Sequence, residues 1–292
     1  MTTTVMIVMF ETTLSSGGRP PAALERIVVP LDGSELSRSA LVPAEELARR
    51  TGARLELLST KVAEGPTEPS SFLDELADEI TGRGSPIEVR TSIRMEGDPV
   101  EAIGAVVEQD TTPALIVMSS HGRGRIRRAA LGSTAESVVS SGVAPVLVTG
   151  PSFAPSTFSN DGPVLVTHDG THEPDRQMIA TLAGAASGQI TVLQVFHPEA
   201  HLPGRPRSGL LVSDAAAEFA GELRAVGFDV MTQAAQALKA SRAIVDVAED
   251  LDSSIVVVTS RSRTGTERAV LGSVAADVVR SSPVPVLISR SS

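Results

Sequence analysis

The sequence predicts an α/β fold of two tandem domains, each a five-stranded parallel sheet with helices on both faces. Three observations predict it. Short β-branched apolar runs alternate with helical periodicity along the chain, the pattern of right-handed strand–helix–strand crossovers. Strand runs such as ALIVM, Ala114 to Met118, are apolar at every position, as strands covered on both faces must be. The plan also occurs twice. Residues 123–148 and 263–288, at an offset of 140, share 13 identities in 26 positions, which means two copies of one domain.

The elements follow in order. Residues 1–24 read as an extension. Its VMIVMF run, Val5 to Phe10, is too short to span a bilayer. No Lys or Arg precedes it, so it is a poor secretory signal. The TTLSSGGRPP that follows has a flexible composition. Domain 1 covers 25–150. RIVVPL, from Arg26, is its first strand and ends in the turn DGSE, after which helical periodicity runs to Arg50. ARLELLST is a second strand, AEGPTEPSS a loop, FLDELADEI a helix and IEVRTSIRM a third strand. DPVEAIGAVVE is a helix with Asp98 as N-cap and Pro99 at N1. ALIVMSS, TAESVVSS and APVLVTG complete the unit as strand, helix and strand. Residues 151–161, PSFAPSTFSND, have no periodicity and read as a linker. Domain 2, 162–292, repeats the plan. PVLVTHDGT stands for IVVPLDGSE, with Asp169-Gly170 in place of Asp32-Gly33, and QITVLQVF and SIVVVTS match the second and fourth strands.

Composition narrows the function. The chain has 292 residues, a formal charge of −10, no Cys, Trp or Tyr, and seven Phe. The core is therefore aliphatic. An acidic balance weighs against nucleic acid or an anionic membrane as partner. Without Cys there is no disulfide, thiol catalysis or Cys-ligated zinc, which fits a cytoplasmic location. No nucleophile elbow or general-base cluster is present, so no catalysis is expected.

One segment stands apart. SSHGRGRIRRAALGST, Ser119 to Thr134, puts four arginines and three glycines between a strand and a helix. Ligands of open parallel sheets bind beyond the carboxyl ends of the strands, where connections diverge. Gly122 and Gly124 permit close backbone approach. The helix start at Gly132-Ser133 offers free N–H groups to an anion. Arg123, Arg125, Arg127 and Arg128 raise the local potential. Together these suit a phosphate chain. There is no G-x-x-x-x-G-K-[ST], and GRGRIR lacks the third glycine of a dinucleotide fingerprint.

Gly122, nine residues, then Gly132-Ser133 resembles the universal stress protein motif G-x-x-G-x9-G-[ST]. VPLDGSE and APVLV resemble the family's first and last strands. The resemblance covers 26–149 and 163–289. It implies a Rossmann-like fold in each domain with strand order 3-2-1-4-5, and an ATP site in domain 1, with Mg2+ on the polyphosphate. It further implies that Asp32 holds the adenosine, that Pro30, Leu31 and Thr60 flank adenine, and that Met118, Ser119, Gly122, Arg123, Gly132, Ser133 and Thr134 line the ribose and phosphates. It implies pairing of the two last strands within the chain, and allows a homodimer. Ser119 stands where the family has its first motif glycine. In domain 2, Thr259 and Ser262 replace both glycines, so one ATP per chain is expected. The rival readings are a nucleotide-free interaction scaffold and a weak ATP hydrolase.

Plainer roles stand beside these. Asp32 can cap the first helix through an Asx-turn, Ser133 and Ser273 are suitable N-caps, Gly132 can serve packing, and the arginines can form a solvated face. His168, His172, His197 and His201 follow strands 1 and 2 of domain 2, but match no zinc signature and are read as loop histidines.

Overall fold

In the computed structural model, residues 8–10, 24–60, 69–84, 86–94, 97–121, 131–198, 211–260 and 271–290 are described. After β1 (Val8–Phe10), domain 1 runs β2 (Arg26–Leu31), α1 (Glu35–Arg38), α2 (Leu41–Thr51), β3 (Arg54–Ser59), α3 (Pro69–Gly82), β4 (Val89–Ile93), α4 (Pro99–Glu108), β5 (Ala114–Ser119), α5 (Ser133–Ser141) and β6 (Val146–Thr149). Domain 2 runs β7 (Val164–Thr167), α6 (Arg176–Ala185), β8 (Gln189–Phe196), α7 (Asp214–Ala225), β9 (Asp229–Gln236), α8 (Ala240–Asp250), β10 (Ile255–Ser260), α9 (Ser273–Ser281) and β11 (Val286–Arg290).

The eleven strands of the described residues form one sheet in the order β1-β9-β8-β7-β10-β11-β6-β5-β2-β3-β4. Counted within each half, the order is 3-2-1-4-5, and every pairing inside a half is parallel. The halves meet where β6 and β11 pair antiparallel, Leu147 opposite Leu287. β1 pairs antiparallel with β9, so a strand stands within the N-terminal extension, for which the sequence predicts no element.

Strand alternation sorts the core into two layers. Ile27, Val29 and Leu31 of β2 pack with α2 and α3, and that layer continues through α6 and α7. Val28 points the other way, among side chains of α4, α5, α8 and α9. Helices thus cover both faces.

The helical periodicity between the first two strands predicts one helix up to Arg50. The structure has two, α1 and α2, broken at Ser39-Ala40. Pro43 explains the break. A continuous helix would need a Pro43 N–H to bond the Ser39 carbonyl, and the ring would clash with that carbonyl.

The base of domain 1 is held by one buried cation. Arg26 is 2% exposed. Its Nε and Nη2 donate to the two Glu56 carboxylate oxygens at 3.2 and 2.9 Å. Nη1 donates to the carbonyls of Val107 and Asp110, and Nη2 also to Val106. All five guanidinium protons are therefore used. Two of them reach carbonyls in the last turn of α4, where helical partners run out, and a third reaches the Asp110 carbonyl just beyond it.

The linker is fastened rather than loose. It forms a short 3-10 turn, Pro155–Thr157, with Phe153 edge-on to Phe158 at 5.7 Å. Buried Asn160 donates to the Ala185 carbonyl at 3.0 Å. Asp161 pairs with Arg50 of α2, and Ser152 donates to the Arg280 carbonyl of α9.

Candidate functional site

The parallel register of β2 with β5 carries both strands to the same edge of the sheet. Beyond that edge the chain leaves β2 for α1 and α2 on one face, and enters α5 on the other. This divergence makes the crevice in which open α/β sheets bind ligands.

At the β2 end, Gly33 takes φ 80°, a turn that glycine permits without strain. Asp32 Oδ1 accepts the Ser34 N–H at 2.9 Å. The cap of α1 is Ser34, whose Oγ accepts the Ser37 N–H. Asp32 therefore shapes the turn through an Asx-type bond, and capping falls to its neighbour. Pro30 and Leu31 close β2, with the Leu31 side chain in the core. The register sets Leu31 beside Ser59, so Thr60 lies level with Asp32 across the strand gap.

At the β5 end, Met118 is a core side chain. Ser119 is buried, and its hydroxyl donates to the His121 carbonyl at 2.8 Å. The Gly132 N–H donates to the Ser120 carbonyl at 2.7 Å, which ties the start of α5 to the end of β5. Gly132, not Ser133, is the N-cap of α5, and no side-chain cap bond is made there. Gly272 holds the same place before α9. The expectation that Ser133 and Ser273 cap these helices is thus corrected by one residue. A Cβ on Gly132 would fit closely, 3.3 Å from the Ser120 carbonyl oxygen and 3.7 Å from the His121 Cα. Ser133 and Thr134 are the first two residues of α5. Gly122, Arg123 and the remaining arginines of the segment lie outside the described residues.

The sequence reading passed over His121. Its Nδ1 lies 3.1 Å from the Ser120 hydroxyl. Its Nε2 is buried and has no hydrogen-bond partner. The ring Cδ2 is 4.0 Å from where a Gly132 Cβ would stand, so the imidazole lies against the start of α5. The signal was present in the sequence: a histidine inside the glycine motif, one residue before Gly122.

Domain 2 has the same frame, occupied differently. Asp169 Oδ1 accepts from the Thr171 and His172 N–H groups and from the Thr171 hydroxyl, and Oδ2 meets His172 Nδ1 at 2.8 Å. Burial raises its carboxyl pKa, but these bonds outweigh burial and bring it to about 2. Above Gly170, Gln194 accepts the Ser213 N–H, and its Nε2 would be 2.7 Å from a Gly170 Cβ. The counterpart of Asp32 is therefore bound into its own turn, in a crowded corner. His197 is exposed, and His201 lies outside the described residues. Among the described residues no group of three or more His, Cys, Asp or Glu side chains is placed to hold a metal ion.

His168 takes the place that Leu31 holds in domain 1. It is 3% exposed and tilted against Phe219 at 5.5 Å. Its Nδ1 accepts the Gly170 N–H, while Nε2 is buried without a partner. Burial lowers its pKa below the ordinary 6.5, against the opposing pull of Asp169 and Glu173. The native state then binds fewer protons than the unfolded chain, so stability rises with pH and falls as pH drops below about 6.5. His168→Leu is expected to flatten that fall and to be the more stable protein at pH 5.5 by about 1 kcal/mol. Denaturant titrations at pH 7.5 and 5.5 test this; identical pH dependence in the two proteins would disprove it.

No described helix is long and apolar enough to cross a membrane. Comparison with known proteins finds the model of the "Universal stress protein family" matching residues 23–150 and again 162–290. A putative universal stress protein from Pseudomonas aeruginosa UCBPP-PA14 has 21% identity, TM-score 0.62, and coverage of 92% of this chain and 94% of that one. A universal stress protein from Archaeoglobus fulgidus DSM 4304 has 21% identity, TM-score 0.63, and coverage of 91% and 98%. At such identity the likeness of the structures is one of fold. No curated protein matches the chain.

Proposed function

The chain belongs to the universal stress protein family, and from that premise we propose that domain 1 binds ATP with Mg2+ and acts as a nucleotide-responsive regulatory protein in the cytoplasm. The observation that carries the reading is the cradle at Gly132. The N-cap of α5 is a glycine and no side chain bonds the helix start, so its first N–H groups have no capping side chain. Backbone N–H groups at a helix start suit phosphate oxygens. Asp32 would take the ribose, the backbone at Pro30 and Leu31 and the strand end at Thr60 would flank adenine, and Met118 and Ser119 would floor the site. Gly132, Ser133 and Thr134 would hold phosphates, with Gly122 and Arg123 completing the loop. Mg2+ would neutralise the phosphate charge. Binding would then alter how the protein associates with itself or with other proteins.

One observation favours the nucleotide-free scaffold instead: Ser119 replaces the first motif glycine, and its hydroxyl is already engaged.

Thermal denaturation decides between them. A ligand that binds only the folded state stabilises it by about 2.7 kcal/mol at a hundredfold excess over Kd. Mg-ATP is expected to raise the melting temperature by several degrees, AMP by less, and Gly132→Glu to abolish the shift by bulk and like charge. Calorimetry should count one ATP per chain. No shift with Mg-ATP would leave the scaffold reading standing. Equal shifts from ATP and inorganic triphosphate would reduce the site to a generic anion site.

A further inference from the structure

We infer that the outer edge of β4 pairs antiparallel with the same edge of a second copy of this chain, about a two-fold axis at Thr91. The inference is independent of the ATP reading and assigns a surface that neither domain's crevice uses.

Three features support it. First, the edge is open and able to bond. Among the described residues no strand lies outside β4, and Arg90 and Thr91 are exposed. The Glu88 carbonyl accepts the Leu55 N–H at 2.8 Å, and the Arg94 N–H donates to the Ser59 carbonyl at 2.9 Å. Peptide groups alternate in direction along a strand. Those of Glu88, Arg90, Ser92 and Arg94 therefore turn to β3, and those of Val89, Thr91 and Ile93 turn outward. Unpaired edge groups of this kind are a template for another strand. Second, the matching edge of domain 2 is filled. β9 is the third strand of its half, as β4 is of domain 1, and β1 lies along its outer side, antiparallel, with Phe10 opposite Thr232.

Third, β4 is complementary to itself. With Thr91 opposite the partner's Thr91, Val89 meets the partner's Ile93, and all three outward residues exchange both of their bonds. Val89 and Ile93 are packed against the core, so this pair carries the apolar layer across the axis. On the other face Arg90 meets the partner's Ser92, and Glu88 meets the partner's Arg94. Glu88 already holds Arg90 of its own strand at 2.7 Å, and the arginine from across the axis completes a charged cluster. Charged side chains ordinarily protect an edge by repelling a copy. Here the directly opposed charges differ in sign, which favours a cross-strand pair. Neither proline nor bulge interrupts the strand. Each side contributes only five residues of strand, so the dimer is a weak and reversible one.

Sedimentation velocity of the full chain over a range of concentrations is the test, with circular dichroism as the check of folding. Wild type is expected to pass from monomer to dimer as its concentration rises. Thr91→Pro removes an outward donor and spares the bonds to β3, which belong to Arg90 and Ser92, so it should stay monomeric. Arg94→Glu sets like charges opposite each other and should raise the dimer Kd about tenfold. Adding Glu88→Arg reverses the pair and should restore the wild-type Kd. The chain has no Cys, so Thr91→Cys introduces a single thiol. Across the axis the two Cα atoms would stand about 5.5 Å apart, within disulfide reach. Mild oxidation should cross-link this variant faster than Leu238→Cys, which is 75% exposed in domain 2. A wild type that remains a monomer throughout, including one whose edge takes only a different protein, overturns the assignment. So does a dimer that folded Thr91→Pro leaves unchanged, or equal cross-linking of the two cysteine variants.

Discussion

Gly150→Val is expected to lower the melting temperature by about 10 °C. Gly150 directly follows β6, and a Cβ there would be built into the Val279 carbonyl oxygen, 3.0 Å from the Val279 carbonyl carbon. That obstacle is backbone near the end of α9, so no rotamer change relieves it. Either the β6–β11 seam opens or α9 shifts. Over-packing of this kind costs about 3 kcal/mol, and each kcal/mol lowers the midpoint of a chain this size by about 3 °C. Gly104→Ala is the control. It stands inside α4 with open space around its Cβ position, and alanine there should stabilise by up to about 1 kcal/mol. Differential scanning calorimetry of both variants checks the contrast, and a Gly150→Val midpoint equal to wild type would refute the seam packing.

Arg26→Met should be comparably severe, about 3–5 kcal/mol in urea denaturation. Methionine fills the space but leaves the carbonyls of Val106, Val107 and Asp110 without their donor. Glu56 keeps only Arg54 at 2.8 Å. Domain 2 points to the repair. Pro163 and Thr191 stand where domain 1 has Arg26 and Glu56, so that copy holds its base without an ion pair. Arg26→Met with Glu56→Thr should therefore recover part of the loss. The pair also sets a pH dependence. Burial raises the Glu56 pKa, but hydrogen bonds from Arg26 and Arg54 lower it further, for a net value below 4.5. Its stabilisation is complete above about pH 4.5 and is lost as pH falls through the native value. Arg26→Met should lose less between pH 5 and 3 than wild type does. A single variant as stable as wild type would mean that the buried cation is dispensable.

Much of the architecture was legible because strand and helix periods are local. IVV, ALIVM and PVLV announce buried strands by composition alone, and the repeat made the second half readable from the first. The helix break before α2 was also legible, since Pro43 forbids a continuous turn, but periodicity spoke louder. What the sequence did not disclose depends on long-range geometry. Nothing near Arg26 says that its partners lie 30 and about 80 residues away. Asp169 and Asp32 occupy the same motif position, yet His172 and Thr171 close on Asp169, where domain 1 has Glu35 and Ser34. His121 was visible as a letter, but the burial of its Nε2 without a hydrogen-bond partner was not.

The β6–β11 seam has a further consequence. Two separate chains that meet edge to edge come apart on dilution below their Kd. Here the two edges belong to one polypeptide, joined by an eleven-residue tether, 151–161, that is itself fastened at both ends. A short tether sets an effective concentration of about millimolar, whatever the abundance of the protein in the cell. The seam therefore stays closed at nanomolar protein, and control by assembly and disassembly has to act through some other surface.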